Sequence, residues 1–83
     1  MAPRRAEALP PLPAVLGERV RARRQERGWS LEGLAHRAEL DWSYLGQIER
    51  GRRNLTLVSI VRIADALEVD PAELVGGMTL RRS

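Results

Sequence analysis

The sequence predicts an all-α fold, a compact domain of five short helices. Three observations predict it. No stretch shows the strict apolar–polar alternation of a half-buried strand. Good helix-start residues (Ser30, Asp41, Thr56 and Asp70) each precede an apolar run with helical spacing, and Gly28 and Gly51 stand where two of the runs stop. The loops between runs are two to five residues long, which suits neighbouring helices in one packed unit.

A first helix is expected from Ala14 to Arg27, with Leu16, Val20 and the stem of Arg24 on one stripe. Gly28 ends it in the left-handed position that a side chain disfavours. Ser30 caps a second helix, Leu31–Ala38, with Trp29 and Leu34 at the spacing of a hydrophobic staple. Asp41 caps a third, Trp42–Arg50, stapled by Leu40 and Leu45 and stopped by Gly51. Thr56 caps a fourth, Leu57–Leu67, whose face carries Leu57, Ile60, Ala64 and Leu67. Asp70, Pro71 and Glu73 open a short fifth helix with a capping box and a preset φ. Residues 1–13 read as a flexible, partly polyproline arm, 14–76 as the folded domain and 77–83 as a short tail.

Composition narrows the function. A chain of 83 residues holds one small domain with a thin core, and self-association often adds to such a core. Its 43% hydrophobic content excludes a disordered chain. Cysteine is absent, which excludes disulfides and thiolate metal sites, and His36 is the single histidine, which excludes a histidine cluster. No nucleophile–base pair or phosphate-cradling loop stands out, so an enzyme is not expected, nor a cofactor. Arg4-Arg5 and the apolar residues after it superficially resemble a twin-arginine signal, but Glu7 and three prolines break the run. No stretch approaches the ~20 apolar residues of a membrane span, so a soluble, cytoplasmic protein is expected.

The net charge is +3, and every basic residue is arginine. Residues 1–56 hold 11 arginines against 7 acids, whereas residues 57–83 hold 3 against 4. A basic front and a neutral back suggest an anionic partner on one side. The second and third helices are joined by a turn so short that their axes must cross steeply. Leu45 and Ile48 then face inward, leaving Trp42, Ser43, Gly46, Gln47 and Arg50 outward, with Arg52 and Arg53 close by. That set equips a helix to enter a DNA major groove.

The runs Ser30 to Ala35, Asp41 to Asn54 and Ile60 to Leu67 resemble the lambda-repressor/Cro-type helix-turn-helix family, also called the xenobiotic-response-element type. The resemblance spans about Leu16 to Val75, and Ile48-Glu49-Arg50-Gly51 is its most specific piece. Residues 44–56 are similar to restriction–modification controller proteins.

The resemblance implies roles by position. Trp42, Ser43 and Gln47 take the base-facing positions of the recognition helix. For Gln47 a bidentate bond to adenine, worth ~1–3 kcal/mol of discrimination, stands against a solvated surface amide. Trp42 either lies on a thymine methyl or sugar, or packs against the second helix or the arm. Ser43 either reaches DNA or bonds locally. Arg50, Arg52, Arg53 and Asn54 take phosphate-holding positions, with Ser30 and Tyr44 as further phosphate contacts. Glu49 is implied to pair with Arg24 as a structural lock between the first and third helices. Arg23 and Arg27 are candidate lateral contacts to the DNA backbone.

Two residues depart from the family pattern. Leu31 replaces a usual glutamine, so its phosphate contact is either lost or replaced by the backbone N–H groups of the helix start together with Ser30. Glu39 replaces a usual glycine, and a left-handed conformation there costs ~1 kcal/mol.

Spare valines on the neutral half (Val58, Val61, Val69 and Val75) suggest a homodimer interface. The partner set expected from the sequence is thus double-stranded DNA, a second copy of the chain and RNA polymerase, with no membrane. The resulting role is a transcriptional repressor or controller on a palindromic operator. The alternative is a protein-interaction module such as an antitoxin-like subunit.

Overall fold

The computed structural model describes residues 11–81. Most of the expected arm, including Arg4 and Arg5, lies outside the described residues, as do the last two residues of the tail. Among the described residues there are five helices and no strand. They are α1 (Leu12–Glu26), α2 (Leu31–Ala38), α3 (Trp42–Glu49), α4 (Leu57–Leu67) and α5 (Pro71–Val75).

Local chemistry fixes four of the five starts. The Ser30 hydroxyl accepts from the Gly33 N–H at 2.9 Å. Asp41 accepts from Ser43 and Tyr44 N–H at 3.1 and 3.2 Å. Thr56 accepts from Ser59 N–H at 3.2 Å, and Asp70 from Ala72 N–H at 2.8 Å. Each bond satisfies a donor that the first helical turn leaves orphaned.

The first helix differs from expectation. It starts at Leu12, two residues before Ala14, so Leu12 and Pro13 belong to the helix and not to the arm. Proline in the first turn lacks an N–H that would have no helical partner there, and its ring presets φ. At the fifth helix the reciprocal capping box does not form. The Glu73 carboxylate leaves its own helix start and pairs with Arg23 of α1 at 3.0 Å.

Left-handed residues close the turns. Gly28 (φ 71°) ends α1 as expected, and Glu39 (φ 57°) takes the strained position after α2. Glu68 (φ 60°) does the same after α4, which nothing in the sequence pattern announced.

The core is Leu16 and Val20 of α1, Leu34, Ala35 and Ala38 of α2, Leu45 and Ile48 of α3, Ile63, Ala64 and Leu67 of α4, and Leu74 of α5. The staple residues Trp29, Leu40, Leu55 and Ile60 pack around it. α1 lies against α3 and α5, and α2 lies against α3 and α4. The buried face of α4 is rotated from the expected stripe. It uses Ile60, Ile63, Ala64 and Leu67, spaced at three, one and three residues, while Leu57 at the helix start is 74% exposed.

Candidate nucleic-acid interface

α3 is held from its inner side. Leu45 and Ile48 are fully buried. Gly17 of α1 lies so near the end of α3 that an added Cβ would collide with the Ile48 and Glu49 backbone carbonyls. Gly51 (φ 76°) is equally tight, because a Cβ there would lie 2.8 Å from Ala14 Cα.

The Arg24–Glu49 lock is in place. Arg24 Nε donates to Glu49 Oε2 at 2.7 Å and Nη2 to Oε1 at 2.9 Å, a bidentate geometry. Arg24 Nη1 also donates to the Trp29 carbonyl at 2.9 Å, tying the α1–α2 turn to the same group. The hydrogen bonds to Glu49 hold the Arg24 guanidinium above its ordinary pKa, against burial that pulls it down.

The outward side of α3 matches expectation in part. Trp42 is 55% exposed, which leaves a large part of it open to solvent. Ser43 and Arg50 are exposed and Gln47 is half-buried. Gly46, expected outward, is buried. It sits where α3 crosses the start of α2, and a Cβ there would meet Leu31 Cδ2 and Arg50 Nη1, each at 3.4 Å. Leu31 is thus an apolar contact of this crossing, which explains why the position holds no polar reader. Ser30 spends its acceptor on the cap, leaving the hydroxyl proton to donate outward.

Arg52, Arg53 and Asn54 are exposed beyond the exit of α3. Among the described residues, no acid pairs with Arg50, Arg52 or Arg53. Arg53 instead stacks over the half-buried Tyr44 ring at 5.3 Å and donates to Gln47 Oε1 at 2.6 Å. Several other described arginines bond or stack within the domain. Arg19 donates to the Leu74 and Gly76 carbonyls at 3.1 and 2.8 Å. Arg23 pairs with Glu73 and Arg27 with Glu68, so neither is the free lateral group that the sequence suggested. Arg37 stacks on Trp29 at 3.9 Å, and Arg62 pairs with Glu39 at 3.3 Å.

The chain and its fold match known proteins. The family model of the helix-turn-helix domain matches residues 15–75. The chain belongs to the helix-turn-helix domain family. Within it, the chain is 37% identical over 67 residues to the control protein C.BamHI of Bacillus amyloliquefaciens, covering 80% of this chain and 83% of that one. It is 40% identical over 66 residues to the immunity repressor protein of Bacillus phage phi105, covering 80% of this chain and 46% of the repressor. The chain spans under half the length of that repressor and 12% of the Mycobacterium tuberculosis regulator RamB. Among solved structures, the restriction–modification controller protein C.AhdI from Aeromonas hydrophila superposes with a TM-score of 0.73 at 45% identity, covering 75% of this chain and 94% of that one. The SinR–SinI protein complex superposes with a TM-score of 0.71 at 32% identity, covering 75% of this chain and 61% of the matched chain.

The expected dimer valines divide within this helix-turn-helix domain. Val58 is 66% exposed and Val61 and Val75 lie near 37%, whereas Val69 is half-buried and packs against the core. Val69 is therefore the least exposed of the four. Leu57, expected in the core, joins Val58 and Val61 on the surface, where Arg62 and Asp65 flank them. Among the described residues no helix is long and apolar enough to cross a membrane. Sequence reasoning missed the close approach at Gly17, although a glycine inside a helical pattern is itself a sequence signal. It also missed the Gln47–Arg53 bond, because residues six apart across a helix end are not on one helical face.

Proposed function

We propose that this chain binds double-stranded DNA sequence-specifically as a homodimer and regulates transcription by occupying a palindromic operator. The carrying observation is the bare side of α3. Trp42, Ser43 and Gln47 stand outward on a helix whose inner side is clamped to α1, with Arg50 and Arg52 unpaired at its exit. A rigid helix with polar and aromatic side chains is the geometry of major-groove entry. Arg50, Arg52, Asn54 and the Ser30 hydroxyl serve as phosphate contacts, which position the domain without reading sequence.

The dimer uses Leu57, Val58 and Val61 of α4. An isologous arrangement covers this patch and brings the two recognition helices ~34 Å apart, one DNA turn. Bound there, the dimer blocks polymerase from the promoter, and an adjacent site allows contact with RNA polymerase. The role is binding rather than catalysis, in keeping with relatives named as control proteins and repressors.

Selection from random duplex DNA with purified protein tests this reading. The expected result is a palindrome with half-site centres about one turn apart, and affinity that falls as salt rises. Arg52→Ala is expected to weaken every sequence alike. Sedimentation of Val61→Arg is expected to give a folded monomer. A salt slope near zero overturns DNA binding, and an enriched site without two-fold symmetry overturns the dimer.

A further inference from the structure

The Gln47–Arg53 bond bears on which base the recognition helix reads, and it rests on the reading that α3 enters the major groove. Arg53 Nε donates to Gln47 Oε1 at 2.6 Å, and the guanidinium lies 5.3 Å from the Tyr44 ring centre. The guanidinium thus sits between an aromatic face and an amide, with no acid neutralising it among the described residues. Arginine is a donor only, so the atom facing it must be the amide oxygen, and the amide nitrogen faces elsewhere.

A glutamine that reads adenine uses both ends of its amide, its oxygen accepting from N6–H and its nitrogen donating to N7. Here one lone pair of the oxygen already serves a charged donor. The positive guanidinium beside the second lone pair opposes the approach of another donor such as adenine N6–H₂, so the groups the pair offers most readily are the Gln47 N–H donors and the remaining Arg53 N–H donors. We propose that Gln47 and Arg53 form one all-donor unit that selects guanine, whose major-groove edge offers two adjacent acceptors, O6 and N7. Adenine presents its N6–H₂ donor against that unit and is rejected. Arg53 is the specificity-determining residue of the pair, because it decides which end of the Gln47 amide is available.

The test is duplex selection with the full chain, its Arg53→Ala variant and its Gln47→Glu variant, with helix content checked by circular dichroism. The pair is at the surface, and both variants are expected to keep the wild-type spectrum. The wild-type protein is expected to favour guanine over adenine at least about fivefold at one half-site position, the lower end of what one base contact discriminates. Arg53→Ala frees the amide oxygen and is expected to move that position towards adenine, leaving the others unchanged. Gln47→Glu keeps an acceptor for Arg53 but removes the amide donors, and is expected to reduce the guanine preference. A uniform loss for Arg53→Ala on all sequences, with preferences unchanged, makes Arg53 a phosphate anchor and overturns the proposal. Selection by the wild-type protein without a guanine position that depends on Arg53 overturns it as well. If the wild-type protein enriches no sequence at all, the DNA-binding reading fails and this one fails with it.

Discussion

Replacing Glu49 tests how α3 is held. Its side chain is 4% exposed and that of Arg24 14%, and two hydrogen bonds of 2.7 and 2.9 Å join them. Solvent screening is therefore slight, and the surface-pair value of under about 1 kcal/mol does not apply. Removing one member leaves a largely buried charge, which costs about 3–5 kcal/mol. The two single variants differ in what remains. In Glu49→Met, Arg24 keeps the Trp29 carbonyl, at 2.9 Å, and the more distant charge of Glu32. In Arg24→Met, Glu49 keeps Arg21, whose Nε lies 3.7 Å away, and the loss falls nearer the lower bound. A domain of this size has about 4–12 kcal/mol in total, so either variant loses a large share. The double variant Arg24→Met/Glu49→Met buries no unpaired charge and is expected to be more stable than the sum of the singles implies, by about 2 kcal/mol or more. Urea unfolding followed by helix circular dichroism, with the slope m unchanged, measures all three. Single losses below about 1 kcal/mol, or strictly additive losses, refute the reasoning. The upward pKa shift of Arg24 means that its side of the pair is fully effective below the ordinary arginine pKa. That contribution is lost only as pH rises through the still higher folded value, so neutral to moderately alkaline buffers are equivalent for this measurement.

Four further substitutions probe the same clamp and the start of the helix it holds. Gly17→Ala places a Cβ against the Ile48 and Glu49 backbone and is expected to cost about 1–3 kcal/mol, despite alanine's better helix propensity. Gly28→Ala meets no atom within 4 Å and has only its φ of 71° to tolerate, so its cost stays near about 1 kcal/mol; thermal melts of the two in the opposite order contradict this packing. Asp41→Ala removes the acceptor of two N–H groups at the start of α3 and is expected to lose about 1 kcal/mol, whereas Asp41→Asn, which keeps an acceptor, loses less.

The sequence was most legible where the cause is local. Ser30, Asp41, Thr56 and Asp70 each cap the helix they were expected to cap, since a cap depends on residues two or three positions away. The buried Arg24–Glu49 pair was legible only through family resemblance, because it joins residues 25 apart. What stayed hidden depends on three-dimensional neighbours. Gly46 shares its helical side with outward residues, and only the crossing of α2 buries it. Leu57 completes an apolar stripe in sequence, yet the core ends one turn further along α4. Glu73 fits a capping box, but Arg23 from α1 offers it an ionic partner instead. At Glu73 a long-range contact outweighed a local preference worth about 1 kcal/mol or less, and at Gly46 and Leu57 the presence or absence of a neighbouring helix decided burial.

Composition misleads about electrostatics in the same way. Fourteen basic residues suggest a broad cationic surface, but the structure commits many of them internally. Arg19, Arg23, Arg24, Arg27 and Arg62 bond acids or carbonyls, and Arg37 stacks on Trp29. If Arg53 is engaged with Gln47 and a base, Arg50 and Arg52 are the cations beside α3 left for phosphates, two in each protomer. A dimer then neutralises about four phosphates, and log K against log salt is expected to fall with a slope near about −4. Arg52→Ala removes one contact per protomer and is expected to bring the slope to about −2, whereas Arg23→Ala, whose partner is Glu73, is expected to leave it unchanged. A wild-type slope steeper than about −8 that Arg23→Ala or Arg27→Ala makes shallower means that the internally paired arginines also reach the DNA backbone, and the division of the arginines argued from these contacts would then be wrong.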